Sequence, residues 1–156
     1  MRIGNGFDIH RFSDDQSRSL WLGLVEIPGA VGLEGHSDAD AVTHAIIDAL
    51  LGACGRGDIG QLFPDSDPAI RGISSRTMLE RALDVVRESG FRPVNVDVTV
   101  IAETPRLAPH RDKIATTLSD AVGAPVSLKA TTMEGLGPIG AREALAALAV
   151  CLVEEI

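Results

Sequence analysis

Cysteine is scarce in this chain: Cys54 and Cys151 are the only two, far apart in apolar, alanine-rich surroundings, and no Cys-x-x-Cys pair occurs. A disulfide framework and a thiolate metal site are disfavoured, and both residues are expected in the core. Positive charge is also short, with 14 Lys and Arg against 22 Asp and Glu and a formal charge of -8. Such a chain repels a phosphate backbone, which argues against nucleic acid as a partner. A small anionic ligand would need local positive charge from a metal ion, helix N-termini or backbone amides. No stretch approaches the ~18 apolar residues of a membrane span, and Met1 to Gly4 begins no apolar signal run. A cytoplasmic protein without membrane contact is expected. Repeats, low-complexity linkers, a catalytic triad, a Gly-x-x-x-x-Gly-Lys loop and a dinucleotide fingerprint are missing.

What is present suits one domain over residues 1–156, with 45% hydrophobic and 23% charged residues. Arg2 to Phe12 reads as a strand with a close backbone approach at Gly4 and Gly6, and Ser19 to Val25 as its returning hairpin partner. Apolar residues at helical spacing predict a helix over Asp38 to Leu51, with Ser37 and Asp38 as candidate N-caps. The segment from Gly57 to Pro68 lacks a period and predicts a loop. A second helix is expected from Ser74 or Ser75 to Glu88. Val94, Val96, Val98 and Val100 alternate with Asn95, Asp97 and Thr99, the pattern of a half-buried strand. A third helix follows Pro109 and ends near Gly123, Val126 to Thr131 reads as a strand, and Ala141 to Glu155 as a closing alanine- and leucine-rich helix. The expected fold is α+β: a mixed sheet with helices packed on one face, the other needing water or a partner.

Asp8 and His10, two apart on a strand, project from one face with roughly 7 Å between α-carbons. His44, on the first turns of the next helix, is the candidate third ligand. Three nitrogen and oxygen ligands leave one tetrahedral position open, the arrangement of a catalytic rather than a structural zinc. The competing reading makes His44 an ordinary helix-face residue. His36 and Ser37 lie just before the helix, where free amides attract an anion, or else serve as loop and cap. Asp58, Ile59 and Gly60, followed by Phe63, Pro64, Asp65 and Asp67, place carboxylates and exposed backbone in one loop, although Asp also favours turns intrinsically. Thr131, Thr132 and Glu134 leave a strand with two hydroxyls and a carboxylate that suit phosphate oxygens and magnesium.

Taken together, Gly6-Phe7-Asp8-Ile9-His10, His36-Ser37-Asp38-Ala39-Asp40 with His44, Asp48 to Ala53, Gly57-Asp58-Ile59-Gly60, Phe63-Pro64-Asp65 and Lys129-Ala130-Thr131-Thr132 resemble the 2-C-methyl-D-erythritol 2,4-cyclodiphosphate synthases, in order and over nearly the whole chain. The resemblance implies one zinc ion per subunit on Asp8, His10 and His44, and a magnesium or manganese ion held with the diphosphate by Glu134. It implies transition-state stabilisation by His36 and Thr132. Substrate contacts are implied for Asp8, His10, His36, Ser37, Asp58, Ile59, Gly60, Phe63, Pro64, Asp65 and Asp67, and for Thr132 and Glu134. Ala102, Pro105, Arg106, Leu107, Ala108 and Thr131 would line a cytidine pocket. The implied reaction turns a cytidine diphosphate-linked methylerythritol 2-phosphate into a cyclic diphosphate and CMP, in a homotrimer with active sites between subunits. The open sheet face would then be turned toward that trimer interface.

The pattern departs from the family after the strand at Val126 to Thr131. A Phe and a Gly-Arg-Gly-Glu-Gly run are usual there, whereas Pro138, Gly140, Ala141, Arg142, Glu143 and Ala144 stand here. The isoprenoid diphosphate that the family can hold in a central cavity is therefore not carried over. Arg106 replaces a common Lys, keeping charge but changing hydrogen-bond geometry. Two rival functions share parts of the pattern: a cytidine nucleotide and metal-binding module without turnover, and a zinc hydrolase using a metal-bound water.

Overall fold

Four strands form one mixed sheet in the order β1 (Arg2–Arg11), β6 (Ala144–Glu155), β4 (Phe91–Ile101), β5 (Val126–Thr131), in a computed structural model that describes residues 1–64 and 66–156. Only β4 and β5 run parallel; β6 is antiparallel to both its neighbours. A separate antiparallel ribbon joins β2 (Ser19–Leu22) to β3 (Val25–Val31). The helices are α1 (Ala41–Cys54), a short α2 (Ile59–Leu62), α3 (Ser75–Glu88), α4 (Arg111–Val122) and the single turn α5 (Gly137–Gly140), with a 3-10 turn at Pro68–Ile70. The architecture is α+β, as the alternation of strand and helix patterns predicts.

Two expectations of secondary structure are overturned. Ala144–Glu155 is a strand, not a helix: it pairs along both edges, with β1 and β4. Leu145, Ala147, Ala149, Cys151 and Val153 are buried under the helices, while Leu148 and Val150 point to the other face. Apolar residues on both faces hide the period of two, and tertiary pairing outweighs alanine's helix preference. The first hairpin is also different. β2 pairs with β3 instead of β1, through the two-residue turn Gly23-Leu24 with φ of 58° and 65°. Both φ values are positive, as in the turn that best matches strand twist, but a leucine in the second place gives no sequence signal for it.

Helix α1 is capped by Asp40, not by Ser37 or Asp38. The fully buried Asp40 carboxylate accepts Thr43 N at 3.1 Å and the Thr43 hydroxyl at 2.7 Å, and also the turn amides Gly23 N at 2.8 Å and Leu24 N at 2.7 Å. One buried charge, fully hydrogen-bonded, thus ties the ribbon to the start of α1. The loop expected from Gly57 to Pro68 contains the short helix α2, capped by Asp58, a single turn too brief to show a period in the sequence, whereas Ser74 caps α3 as expected, accepting from Thr77 N, and α4 ends at Gly123 with φ of 74°. Cys54 and Cys151 are buried and free. Burial pushes the Cys151 thiol up to about 11, so it is no nucleophile near neutral pH.

The close approach expected at Gly4 and Gly6 is what positions the site. A Cβ on either glycine would lie 2.0 Å from a carbonyl oxygen of α1, that of Ala49 or of Ala45. Helix α1 therefore rests directly on β1, and it also packs against α3. The opposite sheet face carries the polar residues anticipated on β4, where Asp97 is paired with Lys129 and accepts from Ser127. Its β1 and β6 half is apolar and exposed, with Ile3, Phe7, Ile9, Leu148 and Val150 uncovered.

Candidate metal centre and active site

Asp8 and His10 share the helix-covered face of β1 with Gly4 and Gly6, because alternate residues of a strand point the same way. The contact of α1 on those glycines brings His44, in the helix's first turn, onto them. Asp8 Oδ2 lies 2.9 Å from His10 Nε2 and 3.2 Å from His44 Nδ1, and the ligand atoms of all three residues fall within 4.8 Å of one another. The two imidazole rings meet edge to face with centroids 5.6 Å apart. Each side chain is at least partly buried.

Proton positions around the cluster favour a cation. His10 Nδ1 is 2.6 Å from the Glu34 carbonyl oxygen, which can only accept, so Nδ1 carries the hydrogen and Nε2 of the neutral ring is bare. That Nε2 is buried and makes no hydrogen bond, although it sits against the Asp8 carboxylate. Two unprotonated atoms facing each other repel unless a proton or a metal ion lies between them. Burial would raise the Asp8 carboxyl, but the adjacent His10 and His44 outweigh it and hold it well below the usual carboxylate range. Burial would lower His10, and its contacts with Asp8 and the Glu34 carbonyl reverse this and raise it. The donor set, one carboxylate and two imidazoles, fits a divalent ion with a position left open.

The cluster forms the floor of a cavity of about 280 Å³ whose walls include His36, Ser37, Ile59, Gly60 and Phe63. These five residues, expected around the substrate, are thus brought to the metal cluster. Asp58 is not on that wall; it caps α2 by accepting Gln61 N at 2.9 Å. His36 and Asp67 share an adjoining depression with Arg71. Pro64 is exposed and lines neither hollow, and Asp65 lies outside the described residues.

The other expected residues gather elsewhere, at the ends of the parallel strands β4 and β5. Ala102 N donates to Thr131 O at 3.0 Å, joining the two ends. The Thr132 hydroxyl donates to Glu134 Oε1 at 3.1 Å, and Glu134 adopts a left-handed φ of 52°. Pro105 lines a separate cavity of about 590 Å³ with Arg142 and Glu143, while Arg106 and Ala108 are exposed and Leu107 is buried. Register places Ile9 of β1 and Ile101 of β4 opposite the same residue, Ala146, and Ile101 beside Thr131. Both groups therefore stand at one end of the sheet, but β1 and β5 are three strand spacings apart, roughly 14 Å.

Sequence reasoning missed two contributors. Glu103 accepts Met133 N at 3.0 Å and Gly135 N at 3.3 Å, so a carboxylate on one strand end holds the turn that bears Glu134 on the other. Ser75, fully buried, touches His44 Nε2 at 3.0 Å. Neither lies in a motif; a Glu three residues beyond the alternating Val94 to Val100 pattern is the only signal for the first.

A mixed sheet backed by helices, with an open two-histidine, one-carboxylate cluster at the sheet's end beneath a cavity, defines a candidate metal-dependent α+β enzyme. The family model described as YgbB family matches residues 1–154. A 2-C-methyl-D-erythritol 2,4-cyclodiphosphate synthase from Gloeobacter violaceus is 54% identical over 99% of this chain and 96% of its own length. Among solved structures, the bifunctional IspDF from Campylobacter jejuni superposes with a TM-score of 0.93 at 38% identity, over 99% of this chain and 42% of that protein. A 2C-methyl-D-erythritol-2,4-cyclodiphosphate synthase in a CDP-bound form superposes at 0.88 with 40% identity, over 98% of this chain and 100% of that one. The chain belongs to the YgbB family, the family of these cyclodiphosphate synthases.

Proposed function

We propose that this chain is one cyclodiphosphate synthase domain over residues 1–156, a lyase that converts 4-diphosphocytidyl-2-C-methyl-D-erythritol 2-phosphate into 2-C-methyl-D-erythritol 2,4-cyclodiphosphate and CMP, in non-mevalonate isoprenoid precursor biosynthesis. The observation that carries this reading is the cluster of Asp8, His10 and His44 beneath its cavity, in a chain of this family. In the reaction an oxygen of the 2-phosphate forms a bond to the β-phosphorus. The bond from that phosphorus to the bridging oxygen breaks, and CMP leaves with the electron pair. No protein nucleophile is required, so catalysis rests on orientation and on neutralising charge.

Asp8, His10 and His44 would hold zinc, and Glu134 a magnesium or manganese ion; such ions supply positive charge to the diphosphate oxygens. The chain's own part is positional. His36 and Ser37 stand on the cavity wall beside the cluster, where His36 can donate to a phosphate oxygen, and the Thr132 hydroxyl can do the same at the second group. Asp58, Ile59, Gly60, Phe63, Pro64, Asp65 and Asp67 would meet the methylerythritol end. Ala102, Pro105, Arg106, Leu107, Ala108 and Thr131 would take the cytidine. With a net charge of -8, the protein needs these local cations to hold a diphosphate at all.

The enzyme would work as a cytoplasmic homotrimer with sites between subunits. Two observations support that assembly: the two residue groups stand apart in one chain, and the sheet leaves Ile3, Phe7, Ile9, Leu148 and Val150 uncovered. A contiguous apolar strip of this kind is the usual mark of a protein interface. Supplying the substrate with zinc and magnesium, and following phosphorus NMR, tests the function. CMP with a cyclic diphosphate is expected. Linear hydrolysis products would indicate a zinc hydrolase, and binding without CMP release a nucleotide-binding module.

A further inference from the structure

We propose that Asp38 and Ser75 are positioning residues that fix which nitrogen of His44 is left bare to bind the metal; this rests on the metal centre proposed above. Ser75 is the first residue of α3 and fully buried. Its backbone N–H donates to Asp38 Oδ2 at 2.8 Å, and its hydroxyl donates to Asp38 Oδ1 in a short hydrogen bond. Asp38 Oδ1 also accepts Asp40 N at 3.3 Å. The carboxylate is thus surrounded by donors and has no proton to give.

The direction of this chain decides the tautomer of His44. With its hydrogen committed to Asp38, the Ser75 oxygen offers only lone pairs to His44 Nε2, 3.0 Å away. Two acceptors then compete for the ring hydrogen, the Ser75 oxygen at Nε2 and Asp8 Oδ2 at 3.2 Å from Nδ1; the shorter contact places it on Nε2, and the bare Nδ1 faces a carboxylate that a metal ion between them would satisfy. Ser37 Oγ, 3.3 Å from Nε2, accepts Ala39 N–H and retains its own hydrogen, so alone it would permit the opposite tautomer. The shorter contact, backed by a charged carboxylate, wins. Both histidines are therefore set by acceptors behind them: His10 by a backbone carbonyl, His44 by a hydroxyl whose orientation a carboxylate enforces. Outer partners of this type orient the ligand and raise its basicity.

Ser74 supplies the Thr77 N–H cap of α3, and the Ser75 N–H keeps an oxygen of residue 38 as its acceptor in both variants below. Asp38→Asn keeps the side-chain shape and reverses the chain, giving up the long 3.3 Å contact from Asp40 N. Its oxygen takes the Ser75 N–H, its NH2 points at Ser75 Oγ, and the serine hydrogen turns toward His44 Nε2. Ser75→Ala removes the link while leaving the Asp38 charge in place. Two readings decide: long-range nitrogen-15 NMR of the metal-free protein at a pH where His44 is neutral, and zinc affinity by competition with a chromophoric chelator. The unmodified protein should show His44 with its hydrogen on Nε2, and each folded variant should move toward the Nδ1–H form and bind zinc about 10- to 100-fold more weakly. An Nδ1–H form in the unmodified protein overturns the proposal without any variant. So does a variant that loses stability but keeps tautomer and affinity. Failure of the unmodified protein to bind zinc at all would instead remove the metal centre itself.

Discussion

Asp8 and His10 make opposite demands on pH, and the metal changes which demand governs. For His10, raised in the folded state, the stabilisation is fully present below the unfolded value of about 6.5 and is lost as pH rises through the higher folded value. For Asp8, lowered in the folded state, the stabilisation is present above about 3.9 and is lost as pH falls through the depressed value. Metal-free protein should therefore show its highest Tm between about pH 4 and 6.5, declining as pH rises above about 6.5. Zinc binds only neutral imidazole, so in excess zinc the stabilisation should grow over that same rise in pH. Thermal melts with chelator and with zinc measure both slopes, and parallel slopes would rule out His10 as a ligand. The two strand ligands are legible because Asp-x-His places both side chains on one strand face, and the helix pattern brings His44 into view. Ser75 and Asp38 are not, since their role exists only once α3 packs against α1.

Helix α1 reaches the site because β1 lacks side chains where the two cross. In Gly6→Ala the new methyl would meet the Ala45 carbonyl oxygen at 2.0 Å, so the helix must lift and carry His44 away from Asp8 and His10. Overpacking against backbone should cost about 3 kcal/mol in denaturant unfolding and weaken zinc binding as well. Gly52→Ala is the contrast: on the same helix, its methyl meets only Asn5 O at 3.9 Å, so α1 should gain about 0.5 to 1 kcal/mol. Equal effects at both glycines would mean that the crossing does not set the site. The glycine pair was readable in the sequence as a close approach, and so were the spans of α3, β4, α4 and β5. β6 was not, because alanine and leucine on both faces of a central strand mimic a helix. Arg142, in the stretch that departs from the resemblance, has a left-handed φ of 63°, a conformation that strains a residue other than Gly.

In one molecule the candidate chemistry is divided, with Asp8, His10 and His44 on one side of the sheet's end and Thr132 with Glu134 on the other, across three strand spacings. A symmetric ring resolves the division if each subunit offers its metal cluster to the next subunit's Thr132 and Glu134 turn, while the strip of Phe7, Ile9, Leu148 and Val150 closes against its copies. Composition hides this from the sequence, because an alternating strand reports that one face is apolar without saying what covers the other. Complementation separates the arrangement from a site built within one chain. His10→Ala and Glu134→Ala each inactivate alone in either case. Co-expressed in equal amounts, they would form mixed trimers in such a ring, with a site intact only where an unaltered His10 meets an unaltered Glu134 on its neighbour. Random assembly gives that pairing with a chance of about one half times one half, so roughly a quarter of the normal activity should return. Sites contained in one chain would return none, since every chain in the mixture carries a defect. Size-exclusion chromatography with light scattering on the same mixture fixes the subunit count, and a trimer without recovered activity would place both residue groups in the same subunit's site.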